Sequence, residues 1–119
     1  MKGLVFVVDD DESIRESLCE ILNDEGYAAL GASNGQEAME LLRHRRPCLI
    51  LLDLMMPVMD GPTFRAQQLQ EPSLREIPVV VITAAGASAT RGLMAQALLP
   101  KPLRIETVLG VAERFCPAP

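Results

Sequence analysis

The chain has 119 residues, with 11 Lys and Arg against 16 Asp and Glu, for a formal net charge of −5. An apolar fraction of 49% excludes a disordered chain, and the acidic balance argues against nucleic acid as a direct partner, because phosphate binding wants a basic face. No apolar run approaches the ~20 residues needed to cross a bilayer, so no membrane span is expected.

At this length one domain is expected, over residues 1–119. Cys19, Cys48 and Cys116 match no metal-binding spacing, and an odd count at unrelated positions is no disulfide framework. The expectation is reduced thiols in a cytoplasmic protein.

Gly3–Val8 is a continuous apolar run of strand length, followed by acids. Ser13-Ile14-Arg15-Glu16 reads as a capping box, and Ile14, Leu18, Ile21 and Leu22 mark one face of the helix it opens. Asp11 and Glu12 read as acids at that helix's N-terminus, and Gly26 as its stop. Tyr27–Ala32 is a weaker strand, suited to an edge. Asn34-Gly35-Gln36-Glu37 caps a second helix, which carries Ala38, Leu41 and Leu42 on one face and ends at Pro47. The basic cluster Arg43-His44-Arg45-Arg46 complements that helix's C-terminal dipole.

Cys48–Leu52 is the next strand, and a third helix runs from Gly61-Pro62 to about Gln70. Ile77–Ile82 is another buried strand. A fourth helix is expected over Ser88–Gln96, an edge strand over Ala97–Leu99, and a fifth helix over Ile105–Phe115. Continuous rather than alternating apolar strands indicate burial on both faces, as in a parallel sheet. The order is βα five times over. The expected fold is therefore α/β and doubly wound, with five parallel strands in the flavodoxin-like order 2-1-3-4-5.

Ligands of such sheets bind beyond the carboxyl ends of the strands, at the switch in strand order. Asp9, Asp10 and Asp11 follow the first strand, Ser33 and Asn34 the second, and Asp53 the third. The fourth ends at Thr83, and the fifth leads into Lys101. Carboxylates brought together repel, and a hard divalent cation relieves that conflict. Mg²⁺ takes oxygen ligands, accepts one or two carboxylates and keeps waters that a phosphate can replace. An Asp carboxylate is also a nucleophile able to take up a phosphoryl group, with Lys101 and Thr83 placed to contact its oxygens.

At these residues the chain resembles a bacterial response-regulator receiver domain, over essentially its whole length. The resemblance is carried by Val7-Val8-Asp9-Asp10, by Leu51-Leu52-Asp53-Leu54-Met55-Met56-Pro57-Val58-Met59-Asp60-Gly61, by Val81-Ile82-Thr83-Ala84 and by Pro100-Lys101-Pro102. It implies that Asp53 accepts phosphate from a phosphohistidine. It implies that Asp9, Asp10, Asp53 and the Met55 carbonyl hold Mg²⁺, that Thr83 is the switch residue, and that Lys101 contacts the phosphoryl group. It further implies a cis Lys101–Pro102 bond. The implied partners are a sensor histidine kinase or a His-containing phosphotransfer protein, docking on the first helix, and a downstream protein; the domain signals rather than acting as an enzyme.

Two departures stand out. Leu98 occupies the position where receivers usually carry Tyr or Phe, after Met94-Ala95 in place of the usual Gly-Ala. Thr83 and Lys101 are 18 positions apart, about one helical turn fewer than receivers usually have. A competing reading takes Asp9-Asp10-Asp11-Glu12-Ser13 as the start of a haloacid-dehalogenase-type phosphatase, with Asp9 as nucleophile and Asp11 as acid/base. It leaves Asp53 and the Met-Pro-Val-Met-Asp-Gly stretch without a role. A third is a receiver-like interaction module that is not phosphorylated.

Overall fold

The computed structural model describes residues 2–54, 56, 58–83 and 95–116. Five strands, β1 (Leu4–Val8), β2 (Ala28–Ala32), β3 (Leu49–Asp53), β4 (Val79–Thr83) and β5 (Ala97–Pro100), form one parallel sheet in the order β2-β1-β3-β4-β5. The helices are α1 (Glu12–Asp24), α2 (Gly35–Leu42), α3 (Gly61–Gln70) and α4 (Ile105–Phe115). The two weakly apolar strands, β2 and β5, are the edges, as their composition implies. The helix expected over Ser88–Gln96 lies almost wholly outside the described residues, so α4 is the one expected over Ile105–Phe115.

The continuous apolar strands follow from two cores. Phe6, Val8, Ile50, Leu52, Val79 and Val81 point to one side, where Ala38, Leu42 and Phe64 of α2 and α3 cover them. Val5, Val7, Leu49, Leu51, Val80 and Ile82 point to the other, beneath Leu18 and Leu22 of α1 and Val108 and Ala112 of α4. Successive strand residues face opposite sides, so a strand covered twice has no position for a polar side chain. Each fully buried Val, Leu, Ile or Phe contributes roughly 1.5–3 kcal/mol. Among the described residues no helix is long and apolar enough to cross a membrane.

Three local expectations are corrected. The N-cap of α1 is Asp11, not Ser13: its carboxylate accepts the Ile14 amide at 3.1 Å, and Glu12 and Ser13 are already helical. Asp is as strong a cap as Ser and comes first in the chain. Helix α2 stops at Leu42 rather than at Pro47, because the Arg43, His44 and Arg45 amides turn back onto the Glu40 and Leu41 carbonyls. The basic cluster therefore follows the helix instead of forming its last turn.

The third correction concerns the thiols. Cys48 and Cys116 form a disulfide with Cα atoms 5.5 Å apart, inside the ordinary range for such a bridge. They are 68 positions apart in sequence. A parallel strand begins, however, at the same edge of the sheet where a returning helix ends. Cys48 precedes β3 and Cys116 follows α4, so the topology itself brings them together.

A buried polar network fixes the end of α3. Gln68 is fully buried; its amide donates to the Leu74 and Ile77 carbonyls at 2.9 and 3.1 Å, and its oxygen accepts from Arg65 Nη1 at 2.7 Å. Burial also pushes the Arg65 pKa down. Gln68→Leu would leave two carbonyls without that donor and remove an acceptor from a buried guanidinium. A loss of about 3 kcal/mol or more is expected, since each stranded buried group costs ~1–3 kcal/mol; urea unfolding measures it.

Candidate phosphoacceptor site

The site is the carboxyl edge of β1, β3 and β4, where the chain crosses from one side of the sheet to the other. Asp9 directly follows β1 and is fully buried. Its amide donates to the Ala32 carbonyl at 3.0 Å, and its Oδ1 accepts the Asp11 amide at 2.9 Å. Its own carbonyl accepts from Arg15 Nη1 at 2.9 Å. Asp53 ends the central strand β3 and is 4% exposed. Asp10 is exposed, but its carboxylate turns to the same place: oxygens of Asp9, Asp10 and Asp53 all lie within 4.8 Å of one another.

Lys101 follows β5, its amide bonded to the Thr83 carbonyl at 3.0 Å. Its Nζ lies 3.4 Å from Asp9 Oδ2 and 3.7 Å from Asp53 Oδ1. The Lys101–Pro102 bond is cis, as the resemblance implies. Thr83, at the end of β4, is buried. The expected set of Asp9, Asp10, Asp53, Thr83 and Lys101 thus lies along one rim. The Met55 carbonyl and the segment 84–94 lie outside the described residues. Ser33 is turned elsewhere, its hydroxyl donating to Glu37 at 2.8 Å.

The donor set fits a small hard cation. Asp9 Oδ2 is buried and accepts no hydrogen bond, and the three acids are all-oxygen donors. Octahedral Mg²⁺ with bonds of ~2.1 Å sets its ligand oxygens roughly 3–4 Å apart, so small side-chain rotations bring a 4.8 Å cluster into range.

The sequence assigns no site role to several contributors. Arg15 reads as a surface position of α1 yet anchors the Asp9 backbone. Gly61 opens α3 against the end of β3: its amide donates to the Leu54 carbonyl at 3.0 Å, and a Cβ there would sit 2.8 Å from the Asp53 carbonyl oxygen. Val58 is 77% exposed with φ +67°. A left-handed backbone costs an L-residue ~1–2 kcal/mol, so Val58 is held in a strained conformation.

Asp11, the acid/base of the phosphatase reading, is instead occupied as the α1 cap. The fold and the acid–lysine rim are those of a signalling receiver. The chain belongs to the response regulator receiver family, whose domain model matches residues 5–112. It is 39% identical over 109 residues to the response regulator MprA of Mycobacterium sp. strain KMS, a match covering 88% of this chain and 46% of that protein. The chain thus spans about half the length of the curated relatives it matches.

Among solved structures it resembles the signal receiver domain of a signal transduction histidine kinase from Syntrophus aciditrophicus. The TM-score is 0.89 at 30% identity, covering 96% of this chain and 89% of that one. It also resembles the Mn²⁺-bound form of response regulator Rcp1, with a TM-score of 0.82 at 26% identity over 98% and 99% of the two chains.

The helix that carries the loop away from the site is held by Asp60, whose Oδ1 accepts the Thr63 amide at 2.9 Å. Hydrogen bonds from the Thr63 hydroxyl and amide hold the Asp60 carboxyl below its ordinary pKa. A depressed folded-state pKa means stability that is present above the unfolded carboxylate pKa and lost as pH falls through the folded one. Asp60→Ala should cost about 1 kcal/mol at neutral pH, with the deficit shrinking as pH falls below the unfolded carboxylate pKa of ~3.9. Thermal unfolding of both proteins across that range tests it.

Proposed function

We propose that this domain takes a phosphoryl group from a histidine of a sensor kinase or phosphotransfer protein onto Asp53, and passes the signal on by protein contact in the cytoplasm. The carrying observation is Asp53 itself: a buried carboxylate at the end of the central strand, 3.7 Å from an ammonium and clustered with two further acids. An Asp53 oxygen attacks phosphorus in line, the P–N bond to the donor imidazole breaks, and its electron pair returns to the ring nitrogen. Lys101 Nζ meets one phosphoryl oxygen and the Thr83 hydroxyl another. Asp9, Asp10, Asp53 and the Met55 carbonyl would hold Mg²⁺, which when bound would supply positive charge to offset that of the phosphoryl oxygens. The chain acts as one receiver unit that is modified and then read, rather than as an enzyme turning over a diffusible substrate.

Incubation with acetyl phosphate and Mg²⁺ followed by intact-mass measurement tests this directly. One phosphoryl adduct is expected, lost in Asp53→Asn and on chelation of the metal. An adduct that survives in Asp53→Asn would place the chemistry elsewhere.

Docking of the histidine donor is supported by a cleft of about 570 Å³ between α1 and the segment after β5. Ile14, Leu18 and Ile21 line one side, and Pro102 and Leu103 the other, with Lys101 at its edge. Ile14 is half-buried, so it is free to serve as a contact. A donor helix seated there brings its imidazole toward Asp53. Ile14→Arg should reduce phosphotransfer from a phosphohistidine donor at least tenfold, about 1.4 kcal/mol of docking, while acetyl phosphate still labels Asp53 at the parent rate. Equal transfer from both donors would leave Ile14 as core alone.

A further inference from the structure

The edge of the sheet opposite the carboxylates carries a second chemical feature. Cys48 and Cys116 are bridged there, with Cys116 buried and Cys48 half-buried. A cavity of about 400 Å³ opens against both, and its walls include Lys2, Gly3 and Arg46. Both charged residues of that wall are basic. Lys2 Nζ is 5.4 Å from the centre of the Tyr27 ring, and Arg46 Nη1 donates to the Ser73 carbonyl, so each head is held in place. Gly3 keeps the approach open: a Cβ there would lie 2.9 Å from Cys48 Sγ, and its φ of +127° suits glycine.

We propose that Cys48 and Cys116 are a reversible thiol–disulfide couple. It exchanges with a small carboxylate-bearing thiol of the glutathione class, which sits in this cavity against Lys2 and Arg46. The proposal rests on the reading of the chain as a cytoplasmic receiver, because a disulfide there stands in exchange with a thiol pool rather than as a permanent staple. The two cations of the wall draw an anionic thiol toward the bridge. Cys19 differs: it is unbridged, and burial raises its pKa and keeps it a thiol.

The exchange balances as follows. A small thiolate attacks the more accessible Cys48 Sγ, the Cys48–Cys116 bond breaks, and its electron pair leaves on Cys116, which takes up a proton. A second small thiolate then attacks the small-molecule sulfur of the mixed disulfide and releases Cys48. Two small thiols are oxidised to one disulfide, and the protein disulfide is reduced to two thiols. The reverse reaction uses the small disulfide as oxidant.

The test equilibrates the full chain in reduced and oxidised glutathione at graded ratios, quenches with acid, and counts thiols by alkylation and mass. Three free thiols are expected at the reducing end and one at the oxidising end, with a transient mixed disulfide on Cys48 and native circular dichroism throughout. Cys48→Ser should remove the two-thiol transition.

The Lys2→Ala, Arg46→Ala double variant should slow exchange with glutathione severalfold and leave exchange with uncharged 2-mercaptoethanol unchanged. A bridge that never forms under oxidising buffer, or opens only in denaturant, would overturn the couple. Equal slowing with both reagents would overturn the anionic ligand. Acetyl phosphate labelling of Asp53 on the same samples reports separately on the receiver reading.

Discussion

Asp9 Oδ2 is a buried carboxylate oxygen with no hydrogen bond, and two further carboxylates crowd it. Parallel strands compel this arrangement, because every strand of such a sheet releases its chain at the same edge, and whatever follows β1 and β3 must meet there. Like charges ~4 Å apart repel by about 4 kcal/mol at an effective dielectric of 20. Lys101 answers this only in part, since one ammonium lies against Asp9 and Asp53 while Asp10 adds a third carboxylate. The rest of the molecule can be understood as the scaffold that holds this unfavourable grouping in place.

That scaffold is apolar and double-sided. β1, β3 and β4 are buried on both faces, so their register cannot slip without placing a helix-facing side chain against the wrong layer. Fixed register is what lets Asp53 end β3 beside Ile82, and Thr83 end β4 beside Pro100. Backbone ties complete the rim: Arg15 holds the Asp9 carbonyl, and the Thr83 carbonyl holds the Lys101 amide. Asp9 and Lys101 are therefore held by bonds to main chain as well as by the ion pairs that Lys101 makes with Asp9 and Asp53.

The fold was legible in the sequence wherever composition alone decides. Unbroken runs such as Leu49–Leu52 leave no polar position, and that excludes a half-exposed strand. The site was legible because its residues sit one step beyond those runs. What escaped depends on contacts distant in sequence. Asp11 displaced Ser13 as the α1 cap through a difference of two positions that propensity does not resolve. Nothing near Cys48 signals Cys116, since their meeting is a property of the finished topology. Arg15 and Val58 look like ordinary surface positions until the loops around them are placed.

Gly61 joins these two scales. Its missing side chain lets α3 begin in contact with the backbone at the end of β3, with no room for even a methyl group at the Asp53 carbonyl. A glycine beside a buried aspartate invites a chemical explanation, yet here it is a matter of clearance. Under sequence drift the position behaves as an architectural one: a larger residue would have to push α3 off β3, which destabilises the fold. A survey of inactive variants would then credit the chemistry with a residue whose whole contribution is the space it leaves empty.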